Sequence, residues 1–353
     1  MLINELMRPD LQDMDRYISQ QTSGNESRLN ANELPWDPLA EQQWQLNRYP
    51  DVAQQKLLKL LAAYYQVRTE QLLLSRGSDE GIDTLMRLFI TPFQDSVMIC
   101  PPTFGMYTIY AQIQGARILH CPLRVPDYGL DFAAIQQNMR PKNKLLFICR
   151  PNNPTGNCEP LAAIAKICHA LRKQCIVVVD EAYLEFSSEV SATTLLDEFE
   201  NLVVLKTLSK AYGLAGLRLG ACIANPYLIE KLRCIQAPYA ISTPTVQLAL
   251  RALQNPDWFL RKIETIKNSR TVMFNVLCTI PVIKKCWPSE ANFFFIQVEN
   301  AEKITDYLSA HGIIIRRISE RHCRLSIGDE GENTKLINLM KAYRTPNQPS
   351  IMG

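Results

Sequence analysis

The sequence predicts an α/β fold: a mostly parallel central sheet sandwiched by helices, with a smaller α+β domain at the carboxyl end. Three observations predict it. The chain has 353 residues, too many for one compact core and suited to two. From about residue 50 to 225, brief Val-, Ile- and Leu-rich runs alternate with longer helical patterns, the signature of parallel strands joined by crossover helices. After about residue 240 that alternation stops and a long helical stretch begins.

In order, the predicted strands of the first region are Leu72-Ser75, Val97-Cys100, Arg117-Cys121, Leu145-Cys149, Ile176-Asp180, Leu202-Leu205 and Gly220-Ala224. Helical patterns at Gln54-Tyr65, Glu80-Phe89, Leu161-Leu171 and Tyr227-Gln236 lie between or beside them. The second region predicts a helix over Asp257-Cys278, then Asn292-Val298, a helix near Ala301-Ala310, Ile313-Arg316, Cys323-Ile327 and a last helix near Asn333-Tyr343. The expected division is an N-terminal arm over 1–45, a large domain over 46–240 and a small α+β domain over 241–353. The arm is expected to pack on the small domain or on a partner subunit.

Composition excludes several classes of function. Hydrophobic residues make up 47% and charged residues 21%, an ordinary globular balance. A net charge of +3 with scattered basic residues argues against nucleic acid as a partner. No apolar run reaches the ~20 residues that span a bilayer, and Met1 to Tyr17 carries charges where a secretory signal needs an apolar core. The location expected is cytoplasmic, where the 11 cysteines would stay reduced. They include no C-x-x-C, and adjacent His322 and Cys323 would point to opposite faces of a strand, so no metal site is expected.

Four clusters follow predicted strand ends, where ligands of such sheets collect. Ser75-Arg76-Gly77-Ser78-Asp79-Glu80-Gly81 opens a helix; it is either a phosphate-binding helix start or an ordinary N-cap by Ser78 or Asp79. Pro151-Asn152-Asn153-Pro154-Thr155-Gly156 makes a stiff turn, which is either no more than a turn or a device that presents the Asn153 amide to a negatively charged oxygen. Asp180-Glu181-Ala182-Tyr183 ends the run Ile176-Val177-Val178-Val179; it is either an ordinary strand end in Asp or a carboxylate at the bottom of a pocket, which would need a cationic partner. Finally, Ser209-Lys210 begins a nearly uncharged stretch that ends at Arg218; Lys210 is either a surface lysine of a glycine-rich loop or a reactive amine. Desolvation there would lower the lysine's pKa and suit it to attack a carbonyl.

In this order and spacing, P-N-N-P-T-G, D-E-A-Y and S-K followed by G-x-R-x-G resemble the fold-type-I aminotransferases over nearly the whole chain. The closer resemblance is to the histidinol-phosphate aminotransferase family. It rests on Leu29-Asn30-Ala31-Asn32-Glu33, Asn47-Arg48-Tyr49-Pro50, Ser75-Arg76-Gly77-Ser78-Asp79-Glu80, Pro101-Pro102-Thr103-Phe104-Gly105-Met106-Tyr107 and Cys323-Arg324-Leu325-Ser326-Ile327-Gly328. The resemblance implies pyridoxal 5'-phosphate as cofactor, held as a Schiff base on Lys210, with Asp180 on the pyridine nitrogen and Tyr183 and Asn153 on the ring hydroxyl. It implies Ser78, Asp79, Ser209 and Arg218 around the phosphate. Phe104 stands where the family usually has a stacked Tyr; the π face is kept and the hydroxyl is lost. Tyr49 implies a homodimer with shared sites, since its counterpart reaches the phosphate from the other subunit. Tyr17, Asn32, Asn153, Arg316 and Arg324 are the implied substrate contacts, Arg324 for the carboxylate of glutamate and Arg316 and Tyr17 for a phosphorylated substrate. The implied reaction exchanges an amino group between histidinol phosphate and 2-oxoglutarate. An aromatic aminotransferase or a threonine-phosphate decarboxylase of the same fold shares Lys210, Asp180 and Arg218. A non-catalytic regulator would carry an added DNA-binding segment, and a nucleotide-binding fold would need G-x-G-x-x-G, which is absent.

Overall fold

The computed structural model describes residues 2–16, 27–39, 44–51 and 54–343. After a short helix α1 (Leu2–Leu6), the first unit runs α2 (Gln55–Tyr64), β1 (Leu72–Ser75), α3 (Gly77–Phe89), β2 (Ser96–Ile99), α4 (Met106–Ile113), β3 (Arg117–His120), α5 (Phe132–Asn138), β4 (Asn143–Cys149), α6 (Leu161–Leu171), β5 (Ile176–Asp180), β6 (Leu202–Thr207), β7 (Gly220–Ala224) and α7 (Pro226–Ile235). Two helices follow, α8 (Thr243–Leu253) and the long α9 (Pro256–Leu277). The chain then runs β8 (Ile283–Cys286), β9 (Phe293–Val298), α10 (Ala301–Ala310), β10 (Arg316–Arg317), β11 (His322–Ser326) and α11 (Glu330–Ala342).

The first seven strands form one sheet in the order β1-β7-β6-β5-β4-β2-β3. Strands β2 to β6 pair in parallel, and β7 is antiparallel to both neighbours. The connection from β6 to β7, residues 208–219, holds no α-helix to carry a parallel crossover, only a short turn at Ala215–Leu217, and the chain returns antiparallel. The sheet is buried on both faces, so its strands read as continuous apolar runs. Period-two alternation divides them. Val177 and Val179 of β5 join Leu146 and Ile148 of β4 on one face. Ile176 and Val178 join Leu145, Phe147 and Cys149 on the other, under α3, α4 and α7.

The expected packing of the arm across the smaller domain is corrected for its first residues. Leu2, Ile3, Leu6 and Met7 are buried in the core of the seven-stranded sheet, with Ile82, Leu85 and Phe89 of α3. The Tyr227 hydroxyl meets Asn4, at 2.5 Å, and Lys231 donates to the Gln12 carbonyl at 2.6 Å. An amphipathic turn placed beside an apolar helix face buries there.

The last four strands form an antiparallel sheet in the order β10-β11-β9-β8. Its two faces differ. Phe294, Ile296, Cys323 and Leu325 pack with residues of α9, α10 and α11. Phe293 and Phe295 face the first unit instead and join its core. By the same alternation Arg324 lies on the Phe293 side, with its guanidinium carbon 5.4 Å from the Phe293 ring centroid. The sheet register therefore aims Arg324 at the carboxyl ends of β4 and β5. Among the described residues no helix is long and apolar enough to cross a membrane.

Candidate active site

The parallel strands β4, β5 and β6 end side by side, and the chain leaves each end in a turn that carries a functional group. Ser78, Asp79, Phe104, Cys149, Asp180, Ala182, Tyr183, Ser209, Lys210 and Arg218 line one cavity at these ends.

Asp180, the last residue of β5, is 2% exposed. Its Oδ2 accepts from the Tyr107 hydroxyl at 2.8 Å and its Oδ1 from the Ala182 N–H at 3.1 Å. Burial raises its pKa to about 6, against the lowering effect of these two hydrogen bonds. No cation touches it among the described residues, so it fits a ligand that brings one.

Its sequence neighbour Glu181 is in a different situation. Arg150 and Lys206, both buried, hold it at 3.0 and 2.9 Å, and Ser191 and the Ala192 N–H donate to it as well. Burial opposes the charge on Lys206, but Glu181 and Glu185 outweigh it and raise its pKa. One carboxylate of the pair is thus satisfied inside the protein, and the other faces the cavity.

The loop from β6 to β7 closes on itself through the Leu208 N–H to the Leu219 carbonyl, 2.9 Å. That closure brings Lys210 and Arg218 to the same rim. The Lys210 ammonium lies 5.9 Å from the Tyr183 ring centroid. Its pKa is lowered, first by burial and then by the cations Arg324 and Arg218.

Helix α3 begins at Gly77 rather than at Glu80, and its N-cap is Arg76, which makes no side-chain capping bond. Ser78 and Asp79 therefore belong to the first helical turn and are not its N-cap, which removes the ordinary-cap reading of this motif. The turn leaves backbone N–H groups free for an anion. Arg218 lies beside it, 3.1 Å from the Asp79 carboxylate and 3.4 Å from the Ser209 hydroxyl. The backbone here is crowded: a Cβ on Gly220 would stand 2.8 Å from the Ser78 nitrogen and 2.6 Å from the Gly77 carbonyl carbon.

On the opposite wall, the Asn153 amide donates to the Tyr183 hydroxyl at 3.2 Å, and its oxygen accepts from Arg324 at 2.5 Å. Burial raises the Tyr183 pKa. Arg316, exposed on β10, stands opposite Arg324 in the register of the small sheet.

Two expected residues lie elsewhere. Asn32 and Tyr49 line a separate cavity with Pro238 and Ser242, and Tyr49 stacks on Tyr239 at 4.6 Å. Tyr17 lies outside the described residues. Tyr107 and the Arg150–Glu181–Lys206 cluster had no assigned role in the sequence. The one available signal for Tyr107 was its spacing of three from Phe104 across a helix start, where a single turn, closed by the Tyr107 N–H on the Phe104 carbonyl, brings the two residues together.

The family model of aminotransferase class I and II matches residues 21–339. Histidinol-phosphate aminotransferase 1 of Legionella pneumophila subsp. pneumophila is 44% identical, over 97% of this chain and 96% of the relative. The chain belongs to the class I and II aminotransferases. The histidinol-phosphate aminotransferase of Stenotrophomonas maltophilia is 40% identical over 96% of each chain. The same fold occurs in a histidinol-phosphate aminotransferase from Sinorhizobium meliloti in complex with pyridoxal-5'-phosphate, at a TM-score of 0.77, 23% identity and coverage of 86% of this chain and 84% of that one. Aminotransferases of this class depend on pyridoxal phosphate, and the donor set of this one fits that group. A buried carboxylate lacking a cation, a lysine of lowered pKa and an uncapped helix start beside an arginine match its ring nitrogen, aldehyde and phosphate in turn.

Proposed function

We propose that this aminotransferase exchanges the amino group between L-histidinol phosphate and 2-oxoglutarate, giving imidazole acetol phosphate and glutamate. The observation that carries it is that Arg316 stands opposite Arg324, whose guanidinium donates to the Asn153 oxygen beside Tyr183. One site must accept an amine bearing a phosphate and a second substrate bearing carboxylates. Guanidinium groups bind both anions in bidentate fashion. The full-length likeness to histidinol-phosphate aminotransferases supports the same reading.

Bound pyridoxal phosphate would supply a carbonyl that captures the amine and a ring that withdraws electrons from its carbon. Asp180 would keep the ring nitrogen protonated, and Asn153 and Tyr183 would donate to the ring hydroxyl oxygen. Ser78, Asp79, Ser209 and Arg218 would hold the phosphate, the first two through the backbone N–H groups of α3. Phe104 would cover one ring face. Lys210 Nζ would anchor the cofactor and then take the proton from the substrate's Cα and return it, as base and acid. Arg324 would grip carboxylate, with Arg316, Asn32 and Tyr17 serving the substrate side.

The proposal includes a homodimer in the cytoplasm, in which half-exposed Tyr49 reaches the cofactor phosphate of a second copy of the chain. It also divides the chain at about 240, because one sheet lies wholly within 72–224 and the other within 283–326. Steady-state kinetics test the substrate assignment. Histidinol phosphate should exceed phenylalanine and threonine phosphate as substrate in kcat/KM, and a better rate with either of those would defeat the assignment.

A further inference from the structure

We propose that Tyr107 is a positioning residue of this aminotransferase, its hydroxyl holding the Asp180 carboxylate ionised and aimed at the cofactor's ring nitrogen. The inference rests on the role proposed above for Asp180. Tyr107 is fully buried on α4, 73 residues away in sequence, and donates to Asp180 Oδ2 at 2.8 Å. With the Ala182 N–H on Oδ1, each carboxylate oxygen has one donor and keeps lone-pair capacity for another.

The ring of Tyr107 is fixed on two sides. It stacks on Phe147 of β4 at 4.9 Å between centroids and meets Phe104 edge to face at 5.5 Å. One residue therefore braces both the side chain that would cover the cofactor ring and the carboxylate that would meet its nitrogen. The surrounding core is apolar, so a phenylalanine would fill the space equally well. The hydroxyl needs a reason to be there, and Asp180 is its partner.

The other titratable groups facing Asp180 do not replace it. Asp79 of α3, Glu181 of its own strand end, the Cys149 thiol of β4 and the Tyr183 phenol favour the neutral carboxyl when they are charged. Asp79 and Glu181 are themselves paired, with Arg218 and with Arg150 and Lys206. Lys210, across the cavity, is a cation that interacts with Asp180, and its amine would be engaged in holding the cofactor. Burial alone pushes Asp180 toward protonation, and the hydrogen bonds from Tyr107 and Ala182 oppose it. Without the hydroxyl, Asp180 takes up a proton nearer neutrality and ceases to pair with a ring cation.

The test is titration of the apoenzyme with pyridoxal phosphate, followed by tyrosine fluorescence, for wild type, Tyr107→Phe, Asp180→Asn and the double variant. Loss of one hydrogen bond to a charged group predicts cofactor binding about 10-fold weaker in Tyr107→Phe at neutral pH. Binding should recover toward wild type at alkaline pH, where Asp180 ionises unaided. The double variant should bind no worse than Asp180→Asn. Wild-type affinity in Tyr107→Phe, or additive losses in the double variant, would overturn the inference. Wild-type affinity in Asp180→Asn would instead defeat the role given to Asp180. If Tyr107→Phe does not fold, 3-fluorotyrosine placed at 107 alone keeps the shape with a more acidic phenol. It should move the acid limb of kcat/KM to lower pH, and an unmoved limb again overturns the inference.

Discussion

Arg316 and Arg324 stand directly opposite each other on antiparallel β10 and β11, and no carboxylate pairs with either among the described residues. Like charges in that position destabilise a sheet. The arrangement makes sense if an anion joins them. Arg324→Gln should lower kcat/KM for both glutamate and histidinol phosphate by about 10- to 100-fold, the usual effect of losing a charge-assisted bond. Arg316→Gln should weaken histidinol phosphate more than glutamate. Steady-state assays with the two amino donors check this, and equal losses for both in Arg316→Gln would remove its selective role.

Lys210 should hold the cofactor covalently through an amine that is free below the ordinary lysine range. Its pKa is drawn down from 10.5, first by burial and then by Arg324. The rate at which apoenzyme takes up pyridoxal phosphate should rise with pH to a midpoint below 10.5. In Arg324→Gln the midpoint should move up. Borohydride reduction should fix the cofactor to the wild-type protein and not to Lys210→Ala, whose turnover should fall by at least ~100-fold. Cofactor fixed equally in the variant would place the attachment elsewhere.

The strands that form the site were legible because each is buried on both faces and ends in a polar turn. Ile176–Asp180 is the clearest case: four β-branched residues and then a carboxylate, with every position buried. Lys210 and Arg218 were legible as a pair because the loop between them carries no other charge. What separates Asp180 from Glu181 was not legible. Both are buried carboxylates, and only the tertiary positions of Arg150 and Lys206 show that Glu181 already has its cations. Tyr107 was hidden for the same reason, since its partner lies 73 residues away. Strand β8 escaped notice because its middle, Lys284-Lys285, is exposed at a sheet edge and breaks the apolar run. The first residues look like an arm in sequence, yet Leu2, Ile3 and Leu6 form one apolar helix face that is buried against α3.

Two glycines of the Lys210 loop region should respond oppositely to alanine. Gly220 has backbone atoms of Gly77, Ser78 and Lys206 within 2.8 Å of where a Cβ would stand, and none of these can swing aside as a side chain does. Gly220→Ala should push β7 away from the start of α3. That change should cost more than about 1 kcal/mol in stability and weaken cofactor binding. Gly216 has nothing within 4 Å of its Cβ position and no positive φ. Gly216→Ala should stay within about 0.5 kcal/mol of wild type, as ordinary exposed substitutions do. Thermal melts of the apoenzyme and a cofactor titration separate the two. A Gly220→Ala protein as stable as Gly216→Ala would contradict the close approach of α3 and β7.

Asp180 should couple cofactor binding to pH. Burial raises its folded-state pKa from 3.8 to about 6. Folding therefore favours the neutral carboxyl relative to the unfolded chain, and in the cofactor-free protein that form predominates only below about pH 6. Its contribution to stability is fully present below pH 3.8 and is lost as pH rises through about 6. A shift of that size corresponds to something on the order of 3 kcal/mol. Pairing with a protonated ring nitrogen needs the carboxylate, so bound cofactor should stabilise the protein more above pH 6 than below it. The rise in Tm on adding pyridoxal phosphate should accordingly grow between pH 5 and pH 7. In Asp180→Asn, which cannot ionise, that growth should flatten. A cofactor-dependent rise in Tm with the same pH dependence in wild type and Asp180→Asn would mean that the ring nitrogen is held by another group.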